Sequence, residues 1–109
     1  MTSDYDQRQY EQMLLILRSY QAGQLGLGRA IADLEALQSC LQVAQDAWKK
    51  SFQSEWGVLE DVYASMLDKG LDELPLDLQN LVNIAVTQLQ GLVTDEVNKG
   101  REWSEATKR

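Results

Sequence analysis

The chain has 109 residues, one domain's worth, with 44% hydrophobic and 25% charged residues, an ordinary balance for a globular protein. Seventeen acidic residues against ten basic ones give a formal net charge of -7, a sign that repels nucleic acid phosphates and anionic membrane surfaces and attracts a basic partner. No apolar run approaches the roughly 20 residues of a membrane span, the acidic start Met1-Thr2-Ser3-Asp4-Tyr5-Asp6 is no secretory signal peptide, and the single cysteine, Cys40, excludes an internal disulfide and fits a reducing compartment, so the expected location is the cytosol.

Thr2, Ser3 and Asp4 are N-cap residues ahead of a first helix predicted over about 4–22. Within it Tyr10, Met13, Leu14, Leu17 and Tyr20 recur at helical spacing, and Gly23 stands where a C-cap glycine belongs. Gly23, Gly26 and Gly28 have the look of a phosphate-binding loop. No strand precedes them and no Lys-Ser or Lys-Thr follows, so turn and cap chemistry accounts for them. A second helix over about 27–44 carries Leu27, Ile31, Leu34, Leu37 or Gln38, and Leu41 as its stripe. Cys40 falls beside that stripe and reads as a buried structural thiol, because no histidine exists to activate it.

Asp46 is the expected cap of a third helix over about 46–69, with Trp48, Phe52, Leu59, Tyr63 and Met66 on its apolar face and Trp56 and Val62 at the edges. Gly70 ends it. Pro75 suits the first turn of a fourth helix over about 75–98, marked by Leu78, Leu81, Val82, Ala85, Leu89, Leu92 and Val93 and reaching Val97. Gly100 is the expected stop, before a polar tail, 100–109, that holds Trp103. Short connections favour antiparallel neighbours, so the chain reads as one all-α domain, an antiparallel four-helix bundle.

Reaction chemistry finds little footing. Without histidine there is no Ser-His or Cys-His pair, no Glu-x-x-His di-iron site, and too few ligands for zinc. Asp68-Lys69-Gly70-Leu71-Asp72-Glu73 lacks the ligand spacing of a calcium loop. Adjacent acids such as Glu60-Asp61 point in different directions on a helix and make no catalytic dyad. The expectation is a non-enzyme with no metal and no cofactor.

The acidity is uneven. Between residues 55 and 77 stand seven acids, Glu55, Glu60, Asp61, Asp68, Asp72, Glu73 and Asp77, against one base, Lys69. Acids suit a helix N-terminus, which accounts for the last three. Asp68, near a helix C-terminus, opposes the dipole there, and seven against one exceeds what solubility requires. These seven acids and Trp56, an aromatic anchor bordered by them, are the candidate surface for a basic protein partner; Tyr5 and Trp103 are further aromatic candidates.

Tyr20-x-x-Gly23, Ile31-x-x-Leu34-x-x-Leu37 and Trp48-x-x-x-Phe52-x-x-x-Trp56-x-x-Leu59-Glu60-x-x-Tyr63-Ala64 resemble the small helical immunity proteins of bacterial polymorphic and contact-dependent growth inhibition toxin systems. The resemblance covers Tyr20 to Ala64, about half of the chain. It implies a cytosolic protein, monomer or homodimer, that binds and blocks a cognate toxin domain. Such toxins are frequently nucleases with basic clefts, which carboxylates can engage as the phosphate backbone does. The alternative is a helical adaptor or structural subunit that buries apolar residues lying off the core stripe, namely Trp56, Val58, Val62, Ile84 and Val86.

Overall fold

A computed structural model of the chain describes the backbone of residues 4–107 and the side chains of residues 4–100. Four helices, α1 (Asp4–Gln21), α2 (Leu27–Ser39), α3 (Asp46–Asp68) and α4 (Leu76–Thr107), form an all-α bundle with no strand among the described residues. The predicted caps Thr2 and Ser3 lie outside the described residues.

α1 packs against α2 and α4, and α3 packs against the same two, which puts the helices at the corners of a square. Neighbours are antiparallel. Along the α2–α3 contact, Gly28 meets Tyr63, Ile31 meets Trp56 and Gln38 meets Gln53. α4 is much the longest, 32 residues against 13 in α2, or about 48 Å against about 20 Å. Both α3 and α4 therefore run past the short α1–α2 hairpin, and the molecule is elongated, 56 × 26 × 19 Å.

The core is the sum of four stripes at three- and four-residue spacing. α1 contributes Tyr10, Met13, Leu14 and Leu17, and α2 contributes Leu27, Ala30, Ile31 and Leu34. α3 contributes Trp48, Phe52, Leu59 and Val62, and α4 contributes Val82, Ala85, Val86, Leu89, Val93 and Val97. At the end holding the start of α1 and α3, aromatic rings bridge the diagonal. Tyr10 meets Trp48 edge-on at 5.2 Å, and Trp48 stacks on Phe52 at 5.3 Å. The Trp48 indole N–H donates to the Leu92 carbonyl at 3.0 Å, so the largest ring in the core is also satisfied.

Burial raises the Tyr10 hydroxyl above its ordinary value of 10.0, helped by the nearby charges of Glu96 and Asp6. Folding thus holds Tyr10 neutral. Below pH 10 the phenol is protonated in both states and its contribution is complete; above it the unfolded chain ionises first and the contribution is lost. Stability should fall from pH 10 upward, and Tyr10→Phe should flatten that fall in denaturation curves taken at pH 9 and 11.

Two helix ends follow the glycine stop. Gly23 and Gly70 hold positive φ, 76° and 62°, and each is followed by the paired backbone bonds of a Schellman motif: Gln24 N–H to Ser19 and Gly23 N–H to Tyr20, then Leu71 N–H to Met66 and Gly70 N–H to Leu67. Gly28 serves a different end from the expected turn. It lies inside α2, and a Cβ there would sit 2.6 Å from the Tyr63 hydroxyl and 2.7 Å from its Cζ. The glycine lets the α3 ring lie flush on α2. Gly28→Ala should lower unfolding free energy by about 1–3 kcal/mol through overpacking. At Gly91, where a Cβ meets nothing within 4 Å, the same change should raise stability by up to about 1 kcal/mol.

Several expectations are corrected. α2 stops at Ser39 rather than near Ala44, because the next backbone amides turn to a carboxylate of α1, described below. Cys40 is exposed at that turn and is no buried thiol. Gln45, not Asp46, occupies the N-cap of α3. α4 begins at Leu76, with Pro75 offering the carbonyl that accepts the Gln79 N–H, and it continues to Thr107. Gly100 is therefore an interior helix residue, buried where the Gln7 amide presses against it. Leu81, expected in the core, is 49% exposed, whereas Val62 and Val86, expected off it, are buried.

Candidate functional site

The acid-rich stretch occupies the second half of α3, the linker after it and the first turn of α4. Glu60, Asp61, Asp68, Asp72, Glu73 and Asp77 are all exposed, and Glu55 is half-buried. Asp61 and Asp68, seven residues apart, lie on one stripe of α3. Glu60 is about 100° around the helix from Asp61. Asp72 and Glu73 sit in the linker and Asp77 in the first turn of α4, so these three gather at the end of the bundle where the long helices outrun the α1–α2 hairpin.

The two remaining candidates turn to opposite sides. Glu55 faces α4 and lines an open groove of about 460 Å³ with Lys50, Ser51, Ser54, Gln88 and Leu92. Trp56 faces α2, where it packs half-buried against the core and its indole N–H donates to the Ile31 carbonyl at 3.0 Å. The Trp56 polar handle is thus used inside the bundle, and only part of its ring surface is open to a partner. Tyr5 is half-buried and lies at the Cys40 turn, where its interaction with the Cys40 side chain raises its hydroxyl above the ordinary value. The Trp103 side chain lies outside the described residues.

Among the described residues none of the seven acids joins an ion pair. Among the described residues the ion pairs are Arg29–Asp33 at 3.1 Å and Lys99–Glu96 at 3.6 Å, both within single helices and both away from the stretch. The chain matches no family model, no curated protein and no solved structure.

Among the described residues no three acid or cysteine side chains converge as metal ligands, and no helix is long and apolar enough to cross a membrane.

The most consequential polar residue is one that the sequence shows only as part of its acidic start. Asp6 is completely buried. One carboxylate oxygen accepts the Gln42 N–H at 2.9 Å, and the other accepts the Val43 N–H at 2.8 Å and that of Gln42 at 3.1 Å. These amides would otherwise be orphans where α2 ends, so a charge at the start of α1 fixes the turn that aims α3. A signal was present: Asp6 precedes Tyr10 by four residues and Met13 by seven, on the core stripe.

Proposed function

We propose that this protein is an immunity-type inhibitor that binds a cognate bacterial toxin domain, with a basic nuclease as the favoured class, through the acidic surface from Glu55 to Asp77. The observation that carries the reading is the set of exposed, internally unpaired carboxylates gathered on the second half of α3 and the linker. Their desolvation is offset only when a partner supplies Arg or Lys donors, and several such pairs on one face imitate a row of phosphates.

Asp68 adds a second argument. It is the last residue of α3, where a negative charge opposes the helix dipole, and no basic residue in that last turn offsets it. Removing it alone should raise fold stability by about 0.3–1 kcal/mol while weakening partner binding.

The test is capture of the tagged protein's partner from its bacterium, followed by a salt series. One basic toxin domain, released as ionic strength rises, supports the inhibitor; a complex indifferent to salt replaces it with the adaptor reading. Leu67, Leu76, Leu81 and Ile84, all 49% exposed or more, are the observation in favour of that adaptor.

A further inference from the structure

We infer that the outward face shared by α3 and α4 is a docking seam for a basic amphipathic helix of a partner protein. On α4, Asp77, Leu81, Ile84, Gln88, Gly91 and Asp95 follow the alternating three- and four-residue spacing of a coiled-coil seam. All six are exposed, Leu81 by 49% and Ile84 by 60%. The residues that pack the bundle, Val82, Ala85, Val86, Leu89 and Val93, occupy the other side of the same helix and are buried. The seam is therefore surplus to the fold's own packing. Alongside it runs the groove of about 460 Å³, where Ser51 and Ser54 keep the α3 wall low and Leu92 gives an apolar floor.

Charge selects the occupant. The seam opens and closes on carboxylates, Asp77 and Asp95, about 27 Å apart along the helix, and α3 adds Asp61 and Asp68 on its exposed side and Glu55 in the groove, against one base lining that groove, Lys50. A second copy laid on the seam antiparallel would set Asp77 of one chain against Asp95 of the other; laid parallel, it would set each against its own equivalent. Like charges facing each other are unfavourable in both arrangements. A helix with aliphatic side chains at its centre and Lys or Arg at both ends meets Leu81 and Ile84 in the middle and an acid at either extremity. The inference rests on the functional reading above for the sign of the partner's charge, and adds which face is used and what element it receives.

The probe is a labelled amphipathic peptide of about 20 residues with leucine at the seam positions and lysine at both ends, titrated into the intact protein and followed by amide chemical shifts. Shifts should concentrate on residues 77–95 and the facing turns of α3. A peptide with glutamate in place of lysine should bind at least about tenfold more weakly, as should the lysine peptide with Leu81→Ser/Ile84→Ser protein. Both substituted side chains are exposed, so circular dichroism should be unchanged. Equal binding of the two peptides, or shifts confined to another face, overturns the seam. So does a sedimenting dimer that Ile84→Lys dissociates, which would give the face to a second copy. The two readings also fail separately. Partner capture that survives Leu81→Ser/Ile84→Ser but not removal of the α3 acids rejects the seam and keeps the acidic inhibitor. Peptide binding that persists while capture is indifferent to those acids does the reverse.

Discussion

Alanine at Glu60, Asp61, Asp68 and Asp72 together should weaken binding of a basic toxin domain by roughly a hundredfold at low salt, from four interfacial charges worth about 0.5–1 kcal/mol each. All four side chains are exposed and none joins an ion pair, so the unfolding midpoint should stay where it is or rise slightly. The slope of affinity against ionic strength should flatten in the same variant, because fewer fixed charges remain to be screened. A control carrying alanine at Asp4, Glu11 and Glu35 removes exposed acids from α1 and α2 and should bind almost as the parent does. Calorimetric titration at two salt concentrations reads both the affinity and the slope. If the quadruple variant binds as tightly as the parent, the acidic surface serves solubility and the inhibitor reading falls.

The largest effect on the fold is expected at the other end of the molecule. Asp6→Ala should lower the unfolding free energy by about 3 kcal/mol, since it strips the charged acceptor from the Gln42 and Val43 amides. Those amides belong to exposed residues, so water relieves part of the loss and keeps the figure below that of a fully buried orphan pair. Asp6→Asn keeps one acceptor oxygen without the charge and should fall between the two in urea denaturation. Hydrogen exchange should show the origin directly, with amides 42 and 43 in the turn losing protection before those of α2 do. A loss below about 0.5 kcal/mol for Asp6→Ala would mean that the turn holds itself without α1.

How much of this was legible beforehand differs by element. The C-terminal ends of α1 and α3 are legible within one residue, because glycine stops at Gly23 and Gly70 act through local φ and are written in the chain. The expected end of α2 lies five residues too far along, because what halts it is Asp6, 36 residues before the Gln42 amide that it holds. The same holds for Gly100. Glycine predicts a stop when only the local chain is considered, yet here it admits the Gln7 amide from α1 and the helix passes through. On α4 the apolar residues cover more than one stripe, and periodicity alone could not say that Val86 goes inward while Leu81 stays outside.

The candidate surface shows the same division. The excess of acids between Glu55 and Asp77 is a property of composition, and composition determined it, as periodicity determined the four-helix class. Which acids share a face, that Trp56 is tied to α2 while Glu55 turns to α4, and that Asp6 is no surface charge at all were decided by tertiary packing. The physical reason is range. Helix propensity, caps and net charge are local or additive along the chain, whereas burial and orphan-amide satisfaction depend on which distant residue the neighbouring helix delivers.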